Sequence, residues 1–402
     1  MQILMVTASP PYPPFSGGAI RGYGILHGLY NAGHRVTLLT FAESIPADTP
    51  LAQFCDQIVT VPAPERSTSQ RLRDLITTSQ ADIARRLRSD EMVRVLLDML
   101  DSHNFGMVQF EGIEVANYLF DVRQHAPAVV TIYDAFNAEA DLQRVIAQID
   151  RADLRRLPGA VYSTIQTGRV DQFERELCRA AHATIAVSDE DAALLRPFRE
   201  DSKIHVVPSG VFVSDYTNSP GELSLAPNSL VFTGKMDYRP NVDAMLWFAE
   251  HVLPHITTRT NVHLYIVGQK PHPRLDTLRD NSHIHITGWV EAVQPYLAAA
   301  DVYVAPLRMG SGTRLKILEA MASQCAMVVT STAAAGLTRE AHENMRVADD
   351  PAQIAAAIVD LLQQPEKRVK LGERASTYVR SHYDWSVLIP RLLNVYRELG
   401  LE

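Results

Sequence analysis

The chain has 402 residues, of which 46% are hydrophobic and 21% charged, and its formal net charge is −8 at pH 7. This length exceeds that of one ordinary domain and favours two, each able to bury a core. The negative charge argues against non-specific binding to nucleic acid. The three cysteines are far apart in the sequence, which argues against a disulfide framework or a thiolate metal site and fits a reducing cytoplasm.

The first residues, MQILMVTASPPYPP, are apolar but lack a cationic stretch and contain prolines, so we expect no signal peptide. No window holds about 18 uninterrupted apolar residues, so we expect no transmembrane helix. These features predict a cytoplasmic protein whose contact with a membrane, if any, is peripheral and at the inner face.

The first half of the chain alternates short apolar runs with helix-like segments. Several runs are continuous and rich in Val and Ile, which is typical of strands buried on both faces of a parallel sheet. Helix-period segments between them, such as 23–34, predict a doubly wound α/β sheet. The predicted strands are 2–8, 35–41, 57–63, 107–113, 128–134, 183–189 and 203–209.

Two glycines, Gly17 and Gly18, follow the first predicted strand in the segment PPYPPFSGGAIRGYG. Glycines at the carboxyl end of a sheet allow backbone amides to face a phosphate or an acceptor. A flexible Pro-Gly loop is the structural alternative. The segment does not form a complete Gly-x-Gly-x-x-Gly motif, which argues against a nicotinamide-dependent dehydrogenase.

An arginine-rich segment, 66–102, has the pattern of basic amphipathic helices that can lie on an anionic membrane. Acidic residues, among them Asp74, Asp82 and Asp90, offset much of its charge. We therefore favour solvated helices with intrahelical ion pairs over membrane contact.

The second half repeats the strand–helix alternation, which predicts a second Rossmann-like domain. An aperiodic stretch rich in Ser, Pro, Asn and Gly, 212–229, is interpreted as the linker. The last segment, 384–400, is helix-like with Pro390 inside it, and it packs either on the second domain or back on the first. We divide the chain into domains at 1–205 and 206–383, with a carboxyl-terminal helix at 384–402. The predicted strands of the second half are 229–235, 262–268, 283–289, 301–307, 326–331 and 345–350.

The segment APLRMGSGTRLKILEAMASQCAMVVTS, residues 305–331, passes from a strand through a glycine-rich turn into a helix. Unpaired amides at a helix start attract an anion, and Gly310 and Gly312 allow a phosphate to approach closely. Arg314 and Lys316 add positive charge, and the Glu319 carboxylate suits vicinal ribose hydroxyls. The segment predicts a nucleotide site, with a tight turn and a solvated basic edge as the alternative.

This segment resembles the signature of family 4 glycosyltransferases, which are retaining enzymes of GT-B fold. Their hallmark is two glutamates separated by seven residues, the second followed by Ala-Met-Ala. Glu319 in LEAMA matches the second glutamate, whereas Ser311 stands in place of the first. The sequence GSGTRLKILEAMA resembles a sub-branch in which a Gly-x-Gly-Thr-Arg-x-Lys loop replaces the first glutamate. The resemblance covers nearly the whole chain and implies two facing Rossmann-like domains with a cleft between them.

The resemblance also implies roles for residues of the second domain. Lys235, and more weakly Arg239, correspond to the bases that bind the donor diphosphate. Arg314, Lys316 and the amides of Gly312 and Thr313 complete that diphosphate site, and Glu319 holds the ribose. Val290 corresponds to a loop position beside the nucleotide base.

In the first domain, the resemblance places Gly17 and Gly18 beside the donor phosphates and the acceptor. The segment TIYDAFNAEADLQRV resembles the family's Asp-x-His-Asn-x-Glu, with Phe136 in place of the histidine. It makes Asp134 a candidate for contact with a sugar hydroxyl or with developing charge, and a helix N-cap is the structural alternative.

The resemblance therefore implies transfer of a sugar from a UDP- or GDP-linked donor to a hydroxyl of a glycan, a lipid-linked molecule or a small molecule. Neither a cofactor nor a metal ion is expected, because the histidines show no ligand spacing and the one Asp-x-Asp pair opens a helix. A 2-epimerase of nucleotide sugars on the same fold is an alternative. A non-catalytic nucleotide-sugar-binding protein is a third hypothesis, prompted by Ser311.

Overall fold

The computed structural model describes residues 1–46, 48–151, 157–199, 201–217, 223–309 and 315–401. The chain forms two compact units. Unit 1 contains Met1–Ser209 and Leu388–Glu402, and unit 2 contains Gly210–Val387. The sequence-based division, by comparison, ended the first domain at residue 205.

Unit 1 contains a seven-stranded sheet in which all neighbours are parallel. Its strand order is β3-β2-β1-β4-β5-β6-β7. The central strands are buried along nearly their whole length, as continuous Val- and Ile-rich runs predict. The strands are β1 (Gln2–Thr7), β2 (Arg35–Phe41), β3 (Gln57–Val61), β4 (Met107–Glu111), β5 (Val130–Ala135), β6 (Ala183–Ala186) and β7 (Ile204–Val206).

In the described part of unit 1, ten α-helices connect these strands. The first of them begins after β1, where the Ser16 hydroxyl accepts a hydrogen bond from the Ala19 amide at 3.3 Å. They are α1 (Gly17–Asn31), α2 (Leu51–Phe54), α3 (Thr68–Thr77), α4 (Asp82–Arg86), α5 (Asp90–Ser102), α6 (Ile113–Ala116), α7 (Leu119–His125), α8 (Glu139–Arg151), α9 (Leu157–Ala180) and α10 (Asp189–Leu195).

Unit 2 contains a six-stranded parallel sheet in the order β10-β9-β8-β11-β12-β13. Both sheets thus reverse their strand order beside their first strand, as doubly wound folds do. The strands are β8 (Ser229–Thr233), β9 (His263–Val267), β10 (Ile284–Gly288), β11 (Val302–Ala305), β12 (Met327–Val329) and β13 (Arg346–Val347). The predicted α/β class with two Rossmann-like sheets is confirmed.

The helices of unit 2 flank this sheet, and the last helix of the chain begins in unit 2. They are α11 (Ser214–Thr217), α12 (Arg239–Trp247), α13 (Leu253–Thr257), α14 (Gln294–Ala299), α15 (Leu315–Ala322), α16 (Ser331–Ala334), α17 (Arg339–His342), α18 (Pro351–Gln363), α19 (Pro365–His382) and α20 (Trp385–Glu398). A π-helical turn, Phe248–Val252, joins α12 to α13.

The stretch that was interpreted as a linker, 212–229, is partly folded into unit 2. The short helix α11 lies within it, and the amide of Val213 donates to Asp384 Oδ2 at 3.1 Å. The interpretation is therefore wrong for these residues. The stretch 212–229 is polar because α11 is a short helix held by side-chain contacts. Such a helix lacks the apolar periodicity of a longer one.

Helix α20 continues through Pro390 and belongs to unit 1 from Leu388 onwards. Its Ile389 side chain packs against Gly28 of α1, where an added Cβ would lie 2.2 Å from Ile389 Cδ1. The Tyr396 hydroxyl donates to Gln109 Oε1 of β4 at 2.6 Å. Of the two placements that the sequence left open, packing on the first domain is the one observed.

We predict that Gly28→Ala destabilises unit 1 by about 1–3 kcal/mol, because the new methyl group overlaps Ile389. Gly168→Ala is the matched control, since Gly168 also lies within a helix but has no neighbour within 4 Å of an added Cβ. The control should be neutral or stabilising by up to about 1 kcal/mol. Differential scanning calorimetry measures both, and equal melting temperatures for the two variants would contradict the close contact.

Candidate functional site

The carboxyl edge of the unit 2 sheet holds the first candidate site. Strand β8 lies between β9 and β11, and the chain leaves β8 and β11 in opposite directions along the sheet. Such a switch point forms a crevice outside the carboxyl ends of the strands, where ligands of doubly wound folds bind. Helix α15, which follows β11, starts at this edge.

Lys316 on α15 is fixed at the end of β8. Its Nζ donates to Asn241 Oδ1 at 2.6 Å and lies 4.3 Å from the centroid of the Phe232 ring. Asn241 Nδ2 in turn donates to the Lys235 carbonyl oxygen at 2.8 Å. The arrangement positions a half-buried ammonium group at the switch point.

Gly234 makes room for this arrangement. Its φ is 151°, and an added Cβ would lie 2.7 Å from Asn241 Nδ2 and 2.9 Å from Lys316 Nζ. Both the backbone conformation and the close approach therefore require glycine at this position.

Glu319 lies three residues after Lys316 on the same face of α15. Its Oε1 accepts a hydrogen bond from the Tyr216 hydroxyl of α11 at 2.7 Å. Burial raises the pKa of Glu319, whereas the Tyr216 hydrogen bond and the charge of Lys316 lower it. One carboxylate oxygen of Glu319, the residue predicted to bind the ribose, therefore already accepts a hydrogen bond from a tyrosine.

The other candidates of unit 2 lie along the same edge. Lys235 directly follows Gly234 and is exposed, with Nζ 3.5 Å from Asp237 Oδ1. Arg239 is the first residue of α12 and is half-buried. Val290 follows the end of β10 and is half-buried beside Trp289, which is 61% exposed. Gly310, Ser311, Gly312, Thr313 and Arg314 lie outside the described residues.

In unit 1, Gly17 and Gly18 form the first turn of α1 at the carboxyl end of β1. Phe136, which follows β5, packs against this turn, since an added Cβ on Gly18 would lie 2.8 Å from its ring. The same ring lies 3.1 Å from the position of a Cβ on Gly112, after β4. The glycine turn and the ends of three strands therefore meet around one aromatic ring.

Asp134 is fully buried in an ion pair with Arg21 of α1. Arg21 Nε and Nη2 donate to the two carboxylate oxygens at 2.8 Å each. Arg21 Nη1 donates to the Val207 carbonyl oxygen at 3.0 Å. This geometry makes Asp134 a partner of Arg21 inside unit 1 and does not support the direct sugar contact, or the helix N-cap, that the sequence suggested.

Four residues of these sites were missed by sequence reasoning. They are Arg21, Glu111, Tyr216 and Asn241. The ends of the predicted strands 107–113 and 128–134 were a usable signal for Glu111, because adjacent parallel strands place Glu111 beside Asp134. Tyr216 lay in the supposed linker and Asn241 in a helix start, where no motif marked them.

Within the described ranges, no group of three or more His, Cys, Asp or Glu side chains is arranged to hold a metal ion. None of the helices in the described part of the chain is both long and apolar enough to cross a bilayer.

Solved structures match the chain over its whole length. Sucrose-phosphate synthase from Thermosynechococcus elongatus matches with a TM-score of 0.70 and 16% identity, covering 100% of this chain and 99% of that one. HepE from Anabaena, in complex with UDP and glucose, matches with a TM-score of 0.66 and 14% identity, covering 99% and 100%. At such identities the matches establish the fold, which is that of the GT-B glycosyltransferases.

Sequence comparison relates both halves of the chain to glycosyltransferases. The model described as Glycosyltransferase Family 4 matches residues 15–214, and that described as Glycosyl transferases group 1 matches residues 227–364. Phosphatidyl-myo-inositol mannosyltransferase from Mycolicibacterium smegmatis is 29% identical over 206 residues, which are 48% of this chain and 52% of that protein. The chain thus spans about half the length of the curated relatives it matches. The two family models together span most of the chain, so both of its halves are similar to glycosyltransferases.

Proposed function

We propose that the chain transfers a sugar from a nucleoside diphosphate sugar to an acceptor hydroxyl, with retention of anomeric configuration. The observation that carries the proposal is the position of Lys316, a half-buried cation at the switch point of the unit 2 sheet. A diphosphate is the anion that a GT-B glycosyltransferase has to hold at such an edge. The UDP and glucose bound to HepE support a donor of this class.

Lys316 and Lys235 are proposed to bind the diphosphate, with Arg239 and the Gly310–Arg314 segment completing the site. As the glycosidic bond breaks, the leaving diphosphate gains negative charge. Fixed cations stabilise that charge more in the transition state than in the ground state, which accelerates the reaction. The hydrogen bond from Lys316 to Asn241 fixes the ammonium before the donor arrives.

Glu319 is proposed to accept hydrogen bonds from the donor ribose. Its Oε1 already accepts from Tyr216, so the ribose has to use the other oxygen or share this one. The Tyr216 hydroxyl favours the ionised carboxylate against the effect of burial. Tyr216 therefore opposes the protonation of Glu319 that burial favours.

For retention, we propose that the acceptor oxygen attacks the anomeric carbon on the face from which the diphosphate departs. The bond from that carbon to the acceptor oxygen forms as its bond to the phosphate oxygen breaks. The acceptor proton passes to the departing phosphate, so the step balances without another reactant. The acceptor is a glycan, a lipid-linked molecule or a small molecule, and the mannosyltransferase relatives favour a hexose as the transferred sugar.

If the proposed activity is correct, the protein will consume one labelled UDP- or GDP-hexose and form a glycoside. The anomeric configuration of that glycoside will match that of the donor. Incubation with a panel of acceptors, followed by NMR of the product, measures both points. A reaction without acceptor is the control. Formation of a 2-epimer in that control would indicate an epimerase, and donor binding without turnover across the panel would indicate a binding protein.

Lys316→Met should lower kcat about a hundredfold, equivalent to roughly 3 kcal/mol, because it removes a fixed cation from the leaving group. Lys370→Met is the control, since Lys370 is an exposed lysine on α19 of the same unit. Steady-state kinetics measure both variants. Equal kcat values for Lys316→Met and the control would remove Lys316 from the site.

Tyr216→Phe should shift the pH dependence of nucleoside diphosphate binding towards higher pH. The substitution removes the hydrogen bond that lowers the pKa of Glu319. Protonation of Glu319 then begins at a higher pH, and affinity is lost sooner as the pH falls. Calorimetric titration across the acidic to neutral range tests this, with Tyr265→Phe on β9 as the control. An unchanged pH profile would contradict the coupling of Tyr216 to the ribose ligand.

A further inference from the structure

A second buried carboxyl group lies beside the Arg21–Asp134 ion pair of unit 1. Glu111 ends β4 and stands directly opposite Asp134 of β5 in the parallel register. Its residue is 2% exposed and Asp134 is 0% exposed. Two carboxyl groups are therefore adjacent in the interior, where an isolated negative charge is costly.

Of these two carboxyl groups, Arg21 donates hydrogen bonds to that of Asp134. Nε and Nη2 donate to Asp134, and Nη1 donates to Val207 and, at 3.4 Å, to Ser209 Oγ. The guanidinium thus forms a bidentate pair with the two carboxylate oxygens of Asp134. The single positive charge of Arg21 compensates one carboxylate and leaves a second one uncompensated.

The donors around Glu111 are also accounted for. Its Oε1 accepts a hydrogen bond from Gln109 Nε2 at 2.6 Å, and Gln109 Oε1 accepts from the Tyr396 hydroxyl at 2.6 Å. Among the described residues, no N–H or O–H group donates to the buried Glu111 Oε2. An oxygen in this position is satisfied when it carries a proton and becomes a donor itself.

We propose that Glu111 is held as a neutral carboxylic acid that donates a hydrogen bond to Asp134, and that it positions the Arg21–Asp134 pair. Burial and the charge of Asp134 raise the pKa of Glu111 well above its ordinary value, while Arg21 and Gln109 oppose the shift. The proton removes the second negative charge and gives Oε2 a partner.

The network joins the two segments at which the chain leaves and re-enters unit 1. Arg21 binds Val207 and Ser209, where the chain leaves the unit, and Tyr396 lies on α20, where it returns. Arg21 is also one turn after Gly17 and Gly18 on α1. Glu111 is thus a positioning residue for the start of α1 and for both chain crossings, whichever donor the enzyme uses.

The pH dependence of this network has a defined sign. The groups that face Glu111 are Asp134 on β5, Arg21 on α1 and Tyr396 on α20, and Thr7 of β1 is its partner in register. Because the pKa of Glu111 is raised in the folded state, its contribution to stability is fully present below the unfolded pKa. The contribution falls as the pH rises towards the folded pKa. In that range the folding equilibrium constant decreases about tenfold per pH unit.

The test compares Glu111→Gln, Glu111→Ala and wild type by hydrogen exchange of the β4 and β5 amides at several pH values. An amide side chain keeps both hydrogen bonds and cannot ionise. Glu111→Gln should therefore match wild type at low pH and be better protected as the pH rises, by about tenfold per pH unit. Glu111→Ala should be less protected than Glu111→Gln at every pH. Glu91→Gln, at an exposed carboxylate of α5, should follow wild type throughout.

An infrared spectrum gives an independent readout. Wild type and Glu91→Gln should show the carbonyl stretch of protonated carboxylic acids near neutral pH. Burial also raises the pKa of Glu174, to about 8, so Glu111→Gln should lose only the part of the band that Glu111 contributes. Parallel pH profiles for wild type and Glu111→Gln, or an identical acid carbonyl band in both, would overturn the proposal. Equal loss of protection in Glu111→Gln and Glu111→Ala would overturn it as well.

Discussion

The parallel pairing of the strands is the constraint on which the candidate sites depend. In a parallel sheet all carboxyl ends lie on one edge, so side chains that follow different strands are brought together there. In unit 1 this edge joins Thr7, Glu111 and Asp134 in one register. In unit 2 it joins Gly234, after β8, to the start of α15. Residues far apart in sequence become neighbours without any motif that links them.

The positively charged side chains at the carboxyl edges of the two sheets have different hydrogen-bond partners. Arg21 is held by a carboxylate with no exposure to solvent, so its charge is neutralised inside unit 1. Such a pair orders the backbone around it, and breaking it by removing one partner is costly. Lys316 is oriented by a neutral amide and an aromatic ring, and it is only half-buried. The amide accepts a hydrogen bond from the ammonium group and fixes its position, but it carries no charge of its own.

The sequence allowed the sheets to be predicted, because strands buried on both faces have continuous apolar runs. Each of the thirteen predicted runs overlaps a strand of the structure, and several strands, among them β7, β12 and β13, are markedly shorter than predicted. Lys316 and Glu319 were named as candidates because they share one helix start with a recognisable spacing, and their roles remain predictions. Tyr216 and Asn241 were not found, since each acts through one hydrogen bond across the fold. Asp134 was named as a candidate, but its pairing with Arg21 was not anticipated, because Arg21 lies 113 positions away.

Close backbone approach explains why glycines mark the unit 2 edge. An added Cβ on Gly268, after β9, would lie 1.8 Å from the Gly234 carbonyl oxygen, so the two strand ends are in backbone contact. Gly234 is in turn crowded on its other side by Asn241 and Lys316. A side chain at either glycine would force the ends of β8 and β9 apart or displace the ammonium group. Because glycine has no Cβ, both residues influence the position of the cation only through the close approach of their backbone. Their role follows from the space they leave, which a pattern of charged residues does not reveal.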